Sequence, residues 1–111
     1  MDILLVDDDQ VCLTALSLML KKNGATVHKT KSAKAAKALI ATQQFDIIFT
    51  DIGLPDVEYL CQLEPRPHIV VISGHILEEA TQTLKKLGVM QLLEKPIYAS
   101  QIQGIIDTIS P

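Results

Sequence analysis

The sequence predicts a single α/β domain, a doubly wound, five-stranded parallel sheet with five helices. Five short apolar runs alternate with segments of helical period along the 111 residues, and such alternation implies right-handed crossovers onto one open sheet. Most of these runs are apolar throughout rather than at every second position, the mark of strands covered on both faces. They end on polar or charged residues, Asp7, Asp51, Ser73 and Lys95 among them, at the carboxyl edge where open α/β sheets hold their ligands.

The first strand is read over Ile3 to Val6. A first helix follows, because Leu13, Leu16 and Leu20 recur at helical spacing and Gly24 stands where such a helix would end. Ala25 to His28 reads as the second strand. Ser32 is suited to cap a second helix whose buried side carries Ala35, Ala36, Leu39 and Ile40. Asp46 to Thr50 makes the third strand. Only nine residues separate Pro55 from Pro65, so a third helix around Val57 to Leu63 has room for about two turns and is expected to be short or irregular. The fourth strand spans His68 to Ile72. Leu77, Ala80, Leu84 and Leu87 mark a fourth helix closed by Gly88, Val89 to Leu93 the fifth strand, and Ile102, Ile105, Ile106 and Ile109 a fifth helix.

Bulk properties narrow the function. One domain over residues 1–111 is expected, since a single core needs about 100 to 150 residues. Ten basic against thirteen acidic residues give a formal charge of -3, and without a run of Lys or Arg direct nucleic-acid binding is not expected. No apolar stretch approaches the roughly 18 residues of a membrane span, and the start has neither a signal peptide nor a basic amphipathic anchor. A cytoplasmic location is the resulting expectation. Cys12 and Cys61 lie far apart with no Cys or His cluster, and read as reduced, partly buried thiols. His28, His68 and His75 read as solvent-facing, Tyr59 and Tyr98 as packing or rim residues.

At the carboxyl edge the strands deliver Asp7, Asp8 and Asp9, then Asp51, Ser73, and Lys95 before Pro96. Singly, each has an ordinary use: Asp9 as a helix cap, Ser73 as a turn residue, Lys95 as a solvated cation. Together they make a site. Clustered carboxylates repel unless a cation settles among them, and oxygen ligands without His or thiolate favour a hard ion such as Mg2+. An ordinary aspartate is ionised at neutral pH and can attack phosphorus without a general base. Lys95 and Ser73 would pair with the transferred group, and such positioning and charge neutralisation do most of the work in phosphoryl transfer.

These residues resemble those of the response-regulator receiver family of two-component signalling, over nearly the whole chain. ILLVDDD at 3–9, FTDIGLP at 49–55, VVISG at 70–74 and EKP at 94–96 are similar to its motifs, in order and at about its spacing. The resemblance implies a flavodoxin-like sheet of order 2-1-3-4-5, with Asp51 as phosphoacceptor, Asp8 as direct Mg2+ ligand, Asp7 as a ligand acting largely through water, and the Gly53 carbonyl reaching the metal. Ser73, its small neighbour Gly74, and Lys95 match the residues that answer the phosphoryl group and so switch the Ser73 loop and the fourth-helix face, and the Lys95 to Pro96 peptide should be cis. His75 matches a position that influences dephosphorylation. The implied activity is that of a signalling phosphoacceptor, which catalyses its own phosphoryl transfer and slow self-dephosphorylation rather than turning over an external substrate.

The implied donor is a sensor histidine kinase or phosphotransfer domain, and a homodimer through the fourth and fifth helices is an allowed partner. Two departures stand out. The segment from Asp51 to Ser73 is shorter than usual, with Tyr59 near the place of a missing glycine, and Leu92 occupies the place of a switching Tyr or Phe. DIGLPD at 51–56 is similar to the wording of hybrid-kinase receivers. Two other readings compete. A degenerate receiver would serve only as a docking or dimerisation module. A phosphatase with an aspartyl intermediate would place a second aspartate two residues after the nucleophile, where this chain has Gly53.

Overall fold

The computed structural model describes residues 1–51, 57–74 and 78–109. Five strands, β1 (Asp2–Val6), β2 (Thr26–Thr30), β3 (Ile47–Asp51), β4 (His68–Ser73) and β5 (Gln91–Glu94), alternate with α1 (Gln10–Lys22), α2 (Ala33–Ile40), α3 (Val57–Cys61), α4 (Glu78–Leu87) and α5 (Ala99–Ile109). All strand pairs are parallel, in the order β2-β1-β3-β4-β5.

Alternate side chains of the central strands feed two cores. On one face Ile3, Leu5, Ile47 and Phe49 meet Leu13, Leu16 and Leu20 of α1 and Ile102, Ile105 and Ile106 of α5. On the other, Leu4, Val6, Ile48 and Val71 meet Ala36 of α2, Val57 and Leu60 of α3, and Leu84 of α4. Covering both faces is what the continuous apolar runs required. Leu92 is half-buried and packs on this second core.

The expected caps are present. Asp9 accepts from the Val11 N–H at 3.0 Å and Ser32 from the Ala35 N–H at 3.1 Å. Gly24 and Gly88 adopt left-handed φ of 81° and 91°, each just past a helix. The Lys95–Pro96 peptide is cis, as is Glu64–Pro65.

Several boundaries differ from expectation. β2 starts at Thr26 and β5 at Gln91 because Ala25 and Val89 belong to helix ends: their N–H groups donate to Leu20 O at 3.3 Å and Leu84 O at 3.1 Å, closing each helix around its glycine. α3 has five residues, short of two turns, since Pro65 brings no N–H and biases the residue before it to extended backbone. Ala35 faces outward and Ala36 inward with Leu39 and Ile40, one step around the helix. His28 is half-buried, edge-on to Phe45 at 5.5 Å between centroids, whereas His68 is exposed as expected. Leu77, His75 and the Pro55 segment lie outside the described residues. Among the described residues no helix is long and apolar enough to cross a membrane.

Candidate functional site

Strand register builds the site. Val6 pairs with Thr50 and Asp51 with Ile72, so Asp7, Asp51 and Ser73 leave neighbouring strands at nearly one level. Ser73 pairs with Glu94, and the Lys95 N–H donates to Ser73 O at 2.7 Å, which fixes the lysine backbone beside β4.

Asp7 is buried beneath this edge. Its N–H donates to Thr30 O at 3.1 Å, and its Oδ1 accepts from the Asp9 N–H at 2.9 Å. Its Oδ2 lies 2.9 Å from Lys95 Nζ, which also stands 3.7 Å from Asp9 Oδ2 and 3.9 Å from Asp51 Oδ2. One ammonium therefore serves three carboxylates and favours the buried one, whose charge most needs a partner. Asp8 is exposed and Asp51 half-buried. One oxygen each from Asp7, Asp8 and Asp51 lies within 4.8 Å of the others.

The electrostatics follow from these contacts. Burial alone would push the Asp7 carboxyl up; the Lys95 ammonium, the Asp9 N–H and the Cys12 thiol outweigh it and hold Asp7 below its ordinary value. Partial burial draws Lys95 down, while Asp7 foremost, with Cys12 and Asp51, keeps it above its usual 10.5. Burial and then Asp7 push the Cys12 thiol up to about 12, so it stays protonated at neutral pH and offers no thiolate. The donor set of Asp7, Asp8 and Asp51 is oxygen alone, and it suits a hard divalent cation.

The fold thus brings together Asp7, Asp8, Asp51 and Lys95. Ser73 is buried next to them in the register, and Gly74 is exposed with open space within 4 Å of where a Cβ would stand. Gly53 and His75 lie outside the described residues. Both cysteines are free and half-buried, as expected. Sequence reading missed that Asp9 reaches Lys95 as well as capping α1, and that Cys12 faces Asp7. The second was legible, since Cys12 extends the Leu16 and Leu20 stripe at a spacing of four. Beside Lys95 a groove of about 390 Å³ runs between α1 and the segment that joins β5 to α5, lined by Asp9, Cys12, Ala15, Met19, Pro96 and Ile97 among others.

Residues 3–107 match the profile of the family described as response regulator receiver domain. The response regulator protein PilR of Pseudomonas aeruginosa is 29% identical over 112 residues, covering 95% of this chain and 25% of that protein. The chain thus spans about a quarter of that relative's length. A response regulator from Thermotoga maritima superposes with a TM-score of 0.88 at 18% identity, over 97% of this chain and 95% of that one. A response regulator protein from Burkholderia pseudomallei, solved with a phosphorylated aspartic acid, a calcium ion and citrate, gives 0.79 at 24% identity, over 99% and 75%.

Proposed function

Because the chain belongs to the response regulator receiver domain family, we propose that Asp51 is its phosphoacceptor and that Asp7 and Asp8 complete a Mg2+ site around it. The observation that carries this reading is the convergence of three carboxylate oxygens within 4.8 Å of one another, with Lys95 Nζ 3.9 Å from Asp51.

In the proposed reaction an Asp51 carboxylate oxygen forms a bond to phosphorus as the bond from phosphorus to the donor's histidine nitrogen breaks, and the imidazole leaves with the electron pair. Lys95 neutralises charge on the phosphoryl oxygens, and Ser73 donates its hydroxyl to one of them. Asp8 and Asp51 would hold the metal directly, Asp7 largely through water, with the Gly53 carbonyl as a further ligand. A bound Mg2+ would add charge neutralisation to that of Lys95. Gly74 leaves room for the modified group, and Leu92 would respond without an aromatic swing.

The donor would be a histidine kinase or phosphotransfer domain in the cytoplasm. The groove beside Lys95, with Val11 78% and Leu18 60% exposed on α1, supports docking of such a donor within reach of Asp51. A second copy through α4 and α5 is a further proposed partner.

Intact mass after incubation with acetyl phosphate tests the reading. One phosphoryl adduct is expected with Mg2+, none in chelator, and none in Asp51→Asn. An adduct on Asp51→Asn of equal extent, or no adduct on wild type, would overturn it, the latter in favour of a docking module.

A further inference from the structure

Helix α4 is held unevenly. Leu84 is its one buried residue, while Ala80, Thr81 and Leu87 are half-buried. A cavity of about 50 Å³ lies between it and β5, lined by Thr81, Leu84, Lys85, Val89 and Leu92 among others. A helix with so little apolar burial and free volume beneath it is a low-stability element, able to move without dismantling the core.

Its carboxyl end is tied down. Arg66, between Pro65 and Pro67 in the loop that leads into β4, sends Nη2 to Leu87 O and Gly88 O, each at 2.8 Å. These carbonyls lie at the negative end of the helix dipole, where a cation gains most, and hydrogen bonds from a guanidinium are stronger than neutral ones. Gly88 makes the contact possible, since a Cβ at that position would collide with the Arg66 guanidinium. The Gly88 and Val89 N–H groups close the same turn on Lys85 O at 3.0 Å and Leu84 O at 3.1 Å. Clamp, glycine and buried Leu84 thus gather in the last turn. The first turn, with Glu78 and Glu79 exposed, lies at the end nearer in sequence to Ser73.

We infer that Arg66 is a fixed pivot for α4: a rearrangement begun at Ser73 displaces the first turns of the helix while the turn clamped on Leu87 and Gly88 stays in place. The inference rests on Asp51 being the phosphoacceptor. A group that contacts Ser73 biases only what differs between the two arrangements, and a helix anchored at its far end converts that bias into tilt rather than translation. Arg66 is a positioning residue and takes no part in the chemistry.

Amide exchange of the full chain, with and without acetyl phosphate and Mg2+, tests this, modification being confirmed by intact mass. In wild type, phosphorylation should change exchange in residues 78–83 and leave the Gly88 and Val89 amides as they were. Arg66→Ala should be phosphorylated at the wild-type rate, yet exchange its Gly88 and Val89 amides about tenfold faster, the effect of losing two solvent-exposed hydrogen bonds worth about 1.4 kcal/mol together. Those two amides should now respond to phosphorylation. Arg66→Lys, which cannot present the planar fork, should fall between. Equal change along all of α4 in wild type, or an Arg66→Ala pattern identical to wild type despite confirmed modification, overturns the pivot and leaves the phosphoacceptor reading standing. Absence of modification in wild type overturns both.

Discussion

Asp7 is the residue on which opposing forces meet: burial pushes its carboxyl up, and Lys95 with the Asp9 N–H pulls it below its ordinary 3.8. Its stabilising contribution is therefore present above about pH 3.8 and lost as pH falls through the lower folded-state value. That of Lys95, held above 10.5, is present below that pH and lost as pH rises through its folded-state value. Lys95→Ala leaves Asp7 buried without its nearest cation, so in metal-free buffer the variant should fold but be about 1–3 kcal/mol less stable at neutral pH. The deficit should close in acid as Asp7 takes up a proton. Urea melts at both pH values measure it, and equal stability at neutral pH would show that the pair contributes nothing net. The metal is expected to depend more on Asp8 than on Asp7. Losing an outer contact at a metal site typically costs about 10- to 100-fold in affinity, so Asp7→Ala, as the proposed contact through water, should cost about that and Asp8→Ala, as the proposed direct ligand, more. Divalent-ion titration by calorimetry decides the order.

Among the elements, the helices differ in what fixes them. α1 buries Leu13, Leu16 and Leu20 and has a capped end on each side, whereas α2 buries only Ala36 fully and relies on Ser32. Ser32→Ala should cost about 1 kcal/mol. Gly88→Ala should cost at least as much, since its φ of 91° disfavours a side chain and the added Cβ displaces Arg66. The two losses should be distinguishable by exchange, the first opening amides of α2 and the second those at the end of α4. Leu92 belongs to this scale too. Half-buried on the second core, it has no polar tip to trade between solvent and interior.

Over the whole molecule, β3 is the shared wall of two cores, with Ile47 and Phe49 on one side and Ile48 on the other. Phe49→Ala should cost about 3–5 kcal/mol and Ile48→Val about 0.5–1.5, against a total of about 5–15 for a domain of this kind. Because one strand serves both faces, either change should shift a single cooperative urea transition rather than split it. Separate transitions for α1 and α2 amides would show that the two cores fold independently. A divalent ion at a hundred times its dissociation constant should add about 2.7 kcal/mol by linkage, a gain Asp8→Ala should forfeit.

Local pattern carried the sheet, the helix caps at Asp9 and Ser32, and the set of Asp7, Asp8, Asp51, Ser73 and Lys95, because periodicity and strand ends are written in neighbouring residues. Parallel topology then forces those strand ends to one edge. Pattern could not decide which carboxylate Lys95 prefers, that His28 lies against Phe45, that Ala36 rather than Ala35 faces inward, or that Arg66 reaches carbonyls 21 and 22 positions ahead. These depend on how far each side chain is removed from water and on distances between segments remote in sequence. Only the packed fold sets them: burial left Asp7 with the strongest need of a cation, and the closing turn of α4 brought two carbonyls within reach of Arg66.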